Sequence, residues 1–80
     1  MRVFQEKIKE LRKEKGLMQK ELAQILQTTN SSISDWECGR SQPDLATLAK
    51  IALFFDVKTD YLLGLEDELG VKIKQNIEEQ

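Results

Sequence analysis

The sequence predicts an all-α domain of five short helices, and three observations carry that prediction. Apolar residues recur at helical spacing along most of the chain. Only one proline and four glycines interrupt it. The segments between periodic stretches are a few residues long, as in compact helical domains. The 80-residue length fits one such domain: surface scaling buries about 63% of the unfolded chain's surface, enough for one small core and too little for two.

Phe4, Ile8 and Leu11 fall at i, i+4 and i+7 with charge between them, which predicts a first helix over residues 3–14. Gly16 ends it, after Lys13 and Lys15 in the last turn, where cations are favourable. Leu22, Ala23 and Leu26 mark a second helix over residues 19–26. Thr28-Thr29 break the pattern, and Thr29 is a suitable N-cap for a third helix that carries Ile33 and Trp36 on one face and stops at Gly39. The segment CGRSQP, residues 38–43, reads as a loop. Asp44 can cap a fourth helix whose expected buried stripe is Leu45, Leu48, Ile51, Ala52 and Phe55. Asp56-Val57 reads as a turn, and DYLLG (residues 60–64) as a last short helix.

Residues 1–64 are therefore expected to form the domain and residues 65–80 an acidic tail. In that tail Leu69, Ile73 and Ile77 recur every four residues around Gly70. Two readings stay open for it, a frayed terminus and a short packing or dimerisation helix.

Composition removes several functions. There is no histidine, so imidazole base catalysis and His-containing metal sites are excluded. Cys38 is the single cysteine, so neither an internal disulfide nor a thiolate cluster can form, which suits a reducing cytoplasm. No apolar run approaches the ~20 residues that span a bilayer, and the opening MRVFQEKIKE has no signal-peptide core. Asp44, Asp56 and Asp60 lack calcium-loop spacing, and Ser31-Ser32 have no base beside them. Neither an enzyme, nor a cofactor, nor a metal site is expected.

The informative stretch is QKELAQILQTTNSSISDWECG, residues 19–39. Two short helices about three residues apart, with small Ala23 at the crossing and Ile33 and Trp36 facing inward, have the pattern of a helix-turn-helix. At that spacing Trp36 reads as core and not as a base-stacking platform. Asn30, Ser31, Ser34 and Asp35 then project together from the outer side of the third helix. Such groups read base edges in a major groove: Asn pairs with adenine, Asp accepts from cytosine, and Ser serves either.

From here the sequence resembles a known family, the Cro/C1-type (XRE-type) phage and bacterial repressor domains. The resemblance runs in order through IKELRKEKGL (8–17), KELAQIL (20–26), ISDWECGRSQP (33–43), LATLAKIALFFDV (45–57) and DYLLG (60–64). It implies a compact five-helix, lambda-repressor-like domain whose third helix enters the major groove. Carried over by position, it implies base contacts from Asn30, Ser31, Ser34 and Asp35. It also implies backbone contacts from Thr29 and Arg40, and for Gln19 either a phosphate contact or a role in orienting the third helix. Arg12 and Glu37 match a pair that joins the first helix to the end of the third, and are expected as a structural salt bridge.

This chain departs from the pattern at several positions. Gln27 stands where a glycine is usual in the turn; if left-handed, it costs about 1 kcal/mol relative to Gly. Met18 replaces the usual Ser/Thr cap of the second helix, so that helix is expected to lack a side-chain N-cap. Cys38 stands where Asn is frequent, which leaves only a backbone N–H for phosphate; near Arg40 in an exposed loop it could also act as a thiol sensor, although lone cysteines are mostly inert. Asp35 replaces a common Lys, Arg or Gln.

The charge balance first speaks against DNA, with 12 Lys+Arg, 14 Asp+Glu and a net charge of −2. Divided, it reads differently: residues 1–64 are +1 and residues 65–80 are −3. A near-neutral head carrying Asp35 should bind nonspecific DNA weakly and rely on base contacts and dimerisation. The expected function is a sequence-specific DNA-binding regulator of the repressor type, acting as a homodimer on an inverted-repeat operator in double-stranded DNA. Its dimer interface is expected from Tyr61, Leu62 or Leu63, and Leu65, with Leu69, Ile73 and Ile77 as further candidates. The alternative is an antitoxin-like or partner-regulated module whose tail binds another protein, with autoregulatory DNA binding.

Overall fold

The computed structural model describes residues 2–66 and Val71. Five helices follow one another: α1 Arg2–Glu14, α2 Gln19–Leu26, α3 Asn30–Cys38, α4 Leu45–Phe55 and α5 Thr59–Leu62. α3 packs on α2 and α1, α4 on α2, and α5 on α1 and α4. No strand occurs among the described residues.

One device ends the helices. A left-handed residue follows each: directly after α2, α3 and α4 it is Gln27 (φ 59°), Gly39 (84°) and Asp56 (56°), and two residues past the ends of α1 and α5 it is Gly16 (69°) and Gly64 (80°). After α2, Thr28 N–H donates to the Ala23 carbonyl (2.8 Å) and Gln27 N–H to that of Gln24 (3.2 Å). After α4, Val57 and Asp56 repeat the pattern on Ala52 (3.0 Å) and Leu53 (3.2 Å). These paired bonds absorb carbonyls that the helix cannot satisfy itself. Asp tolerates the left-handed region through its short polar side chain; Gln27 has no such excuse and carries the strain. Gly39 is further constrained, because a β-carbon there would collide with the amide of Gln5.

The helix starts are capped unequally. Thr29 Oγ1 accepts from Ser32 N–H (3.0 Å), and Asp44 Oδ1 accepts from Thr47 N–H (2.8 Å). Hydrogen bonding from Thr47 holds the Asp44 carboxyl below its ordinary pKa. Met18 offers no side-chain bond. The start of α2 is secured from the other direction, by Glu21 Oε1 accepting the Met18 N–H at 2.7 Å.

Phe4 and Ile8 of α1, Leu22, Ala23 and Leu26 of α2, Ile33 and Trp36 of α3, Ile51, Ala52 and Phe55 of α4, and Leu62 of α5 form one core. Leu11, Leu17, Leu48, Phe54 and Val57 pack around it. Three expectations are corrected. Leu45 does not join the buried stripe: it opens α4, a turn before the helix reaches its neighbours, and is 85% exposed. Leu62 is fully buried between α1 and α4 and is no interface residue. Cys38 belongs to the last turn of α3 and not to the loop, which begins at Gly39; its side chain is exposed.

The first and third helices are joined by an ion pair. Arg12 Nε donates to Glu37 Oε2 (2.7 Å) and Nη2 to Oε1 (3.0 Å), a two-point contact. Arg12 Nη1 also donates to the Leu17 carbonyl at 2.7 Å, tying the α1–α2 turn into the same knot. The two side chains are only 11% and 4% exposed, so neither charge is satisfied by solvent. Its hydrogen bonds to Glu37 raise the Arg12 pKa still further.

Two stability predictions follow from these features. Glu37→Ala strands the Arg12 guanidinium and should cost about 3 kcal/mol, a fall in Tm of roughly 10–20 °C for a domain this size; an unchanged Tm would remove the bridge from the account. Gln27→Gly should raise stability by up to about 1 kcal/mol in a thermal melt, and a lower Tm would show that Gln27 is not strained.

Candidate nucleic-acid interface

α2 and α3 are joined by Gln27, Thr28 and Thr29, and Ala23, buried at the crossing, is small enough to let them approach. Ile33 (fully buried) and Trp36 (6% exposed) fix the inner face of α3 in the core. With Trp36 so enclosed, its ring is not offered for stacking on a base. The helical phase then forces the opposite side outward. Asn30 and Ser31 are exposed in the first turn, and Ser34 and Asp35 are half-buried in the second.

Glu37 adds a second hold on α3. Besides the Arg12 pair, its Oε1 accepts from Gln19 Nε2 at 3.1 Å. One amide proton of Gln19 is thereby directed at α3, the orienting contact of the two roles expected for it. Thr29 is committed to the cap, and its hydroxyl also donates to Ser32 Oγ at 3.0 Å. Arg40 bonds Asp35, Nε to Oδ1 at 3.0 Å. The exposed Cys38 side chain lies at the same end of α3.

The three acidic residues of the helix-turn-helix are thus all engaged. Glu21 accepts the Met18 N–H, Asp35 pairs with Arg40, and Glu37 pairs with Arg12 and Gln19. The charges of Asp35 and Glu37 are paired with arginines, which reduces the repulsion that a phosphate would meet, while Glu21 takes only a backbone N–H.

A shallow open depression of about 350 Å³ links the two helix starts, lined by Arg12, Met18, Gln19, Lys20 and Asn30. Lys20 is a residue that the sequence reading left out of the site. Its signal was present: a cation in the first turn of the helix-turn-helix, one residue after Gln19. The arrangement offers anion-binding groups around a polar helix face. Among the described residues no cluster could hold a metal ion, and no helix is long and apolar enough to cross a membrane.

The comparisons with known proteins agree with this geometry. A helix-turn-helix family model matches residues 8–62. The HTH-type transcriptional regulator ImmR of Bacillus subtilis is 41% identical over 66 residues, covering 82% of this chain and 51% of ImmR. The HTH-type transcriptional activator BcrR of Enterococcus faecalis is 37% identical over 73 residues, covering 91% of this chain and 36% of BcrR. The chain thus spans about half or less of these two relatives' length. Among solved structures, the P22 c2 repressor in complex with a synthetic operator superposes with a TM-score of 0.70 at 27% identity, covering 74% of this chain and 89% of the repressor chain. The all-helical architecture, the buried crossing of α2 and α3 and these likenesses place the chain in the helix-turn-helix family of Cro/C1-type transcriptional regulators.

Proposed function

We propose that this chain reads an operator in double-stranded DNA by laying α3 in the major groove. The observation that carries the proposal is the outer face of α3, where Asn30, Ser31 and Ser34 stand on a helix whose inner face and far end are both fixed. Asn30 is the strongest base reader, through a bidentate contact to adenine, with Ser31 and Ser34 completing the set; Asp35, expected from the sequence to join them, is held by Arg40 instead. Gln19, through the amide proton that Glu37 leaves free, Arg40 and the added Lys20 face the flanking phosphates. The Thr29 hydroxyl is spent on the cap, and the Cys38 N–H, in the last turn of α3, on the helix itself, so neither is kept as a phosphate donor. Binding, and no chemistry on the DNA, is the activity.

In this reading the protein is a homodimer on an inverted repeat, with half-sites ~10 bp apart or a multiple of that. Tyr61, Leu63 and Leu65 are the remaining candidates for the dimer contact. Tyr61 is half-buried under Lys7 Nζ, 4.4 Å from the ring centroid, and Leu65 is 42% exposed. Leu69, Ile73 and Ile77 lie outside the described residues, and so does any partner contact made by the tail. Repression is the direction supported by the likeness to the P22 c2 repressor; BcrR, named an activator, is the counterweight.

Selection of bound duplexes from a random pool, followed by a salt titration, tests the proposal. An enriched inverted repeat and a log K that falls linearly with log salt are expected. A flat salt response with no enriched repeat would contradict it. On the selected duplex, Asn30→Ala should weaken binding by about 1–3 kcal/mol and relax the preference at one adenine; full retention of both would take Asn30 out of the reading face.

A further inference from the structure

Asp35 and Arg40 hold each other at two levels. The Arg40 N–H donates to the Asp35 carbonyl at 2.9 Å across the turn made by Gly39, and its side-chain Nε donates to Asp35 Oδ1 at 3.0 Å. The backbone contact fixes where the Arg40 side chain departs, and the side-chain contact fixes the plane of its guanidinium. Both groups remain accessible, at 65% exposure for Arg40 and 39% for Asp35. A guanidinium bound through Nε keeps its two Nη nitrogens, the edge that matches two oxygens of a phosphate. Among the described residues those two nitrogens make no hydrogen bond.

Position on α3 separates the two possible targets. The N-terminal residues of a recognition helix reach the base edges, and here those are Asn30 and Ser31. Arg40 lies past the opposite end, beyond Gly39, where a groove-bound helix passes the sugar–phosphate strand. Asp35 Oδ1 is already taken by the Arg40 Nε–H, which leaves a cytosine amino group only Oδ2.

We infer that Asp35 is a positioning residue: it orients the Arg40 guanidinium so that the Nη edge clamps a DNA phosphate, and it does not read a base. This refines the proposed DNA-reading role and rests on it. It explains why an acidic residue on the DNA-facing side is compatible with binding.

The sign of one substitution separates this inference from simple electrostatics. Removing a carboxylate from a surface that meets phosphates should by itself tighten binding. If Asp35 orients Arg40, Asp35→Ala should instead weaken binding to the selected duplex by about tenfold, as expected for loss of a charge-assisted contact. Asp35→Asn keeps an oxygen for the Arg40 Nε–H while losing the charge, and should bind at least as well as wild type. Arg40→Ala should weaken binding and lower the magnitude of the salt slope by about 0.9, the value for one lost phosphate contact. The double variant Asp35→Ala/Arg40→Ala should bind no more weakly than Arg40→Ala alone. All of these should melt near the wild-type Tm, because an exposed pair contributes little to stability.

The inference is overturned if wild type binds with the expected salt slope and Asp35→Ala binds as tightly or more tightly. It is also overturned if Asp35→Ala and Asp35→Asn behave alike, or if either alters the preferred base at one operator position. If wild type shows no salt-dependent binding to any duplex, the DNA-reading proposal itself fails and takes this inference with it.

Discussion

A nine-residue helix does not hold its own shape in water, because its nucleation cost is spread over too few hydrogen bonds. α3 depends instead on what grips it, and the decisive grip is the Glu37 carboxylate. Its two oxygens take three donors, two from Arg12 on α1 and one from Gln19 on α2. The same arginine holds the Leu17 carbonyl in the intervening turn. Ile33 and Trp36 provide burial without direction; Glu37 provides direction. A hydrophobic contact tolerates some rotation of α3 about its axis, whereas a two-point guanidinium–carboxylate contact does not. That restriction sets the angle at which Asn30, Ser31 and Ser34 leave the surface.

The charge of the molecule follows the same local logic. A net charge of −2 describes the whole chain, yet DNA would meet only one surface. On the helix-turn-helix every carboxylate has a donor of its own, and Lys20 and Arg40 flank the polar face. In the proposed role, such a surface would draw its specificity from the geometry of short polar side chains. Affinity for random DNA should be modest for the same reason.

Much of this was legible in the sequence, because most of its elements are written in local chemistry. Gly16, Gly39 and Gly64 mark helix ends, since each follows a periodic stretch, and Thr29 and Asp44 mark helix starts through side chains that can cap. Gln27 was harder: a left-handed glutamine is inferred only from the spacing of its neighbours, and the structure settles its conformation at φ 59°. Leu45 and Leu62 depart from the sequence expectation for a tertiary reason. Periodicity states which face of a helix is apolar, but how far the neighbouring helices reach decides whether a residue at the end of that face is covered. The glycine and proline after Cys38 mark a loop but not its first residue, because punctuation of this kind locates a helix end only to within a residue or two. The Asp35–Arg40 contact was beyond sequence reasoning. Its five-residue spacing is not a helical neighbour distance, and it closes only because Gly39 turns the chain back.

The central claim is that α3, held by Glu37 and the core, presents its outer face to DNA. Amide chemical shifts recorded while the selected duplex is titrated into the protein test it most directly, since they report where the DNA sits residue by residue. The account predicts that the largest changes fall on Asn30, Ser31, Ser34 and Arg40 and at the start of α2 around Gln19 and Lys20. Changes concentrated on α1 and α5, with α3 unmoved at saturation, would contradict it.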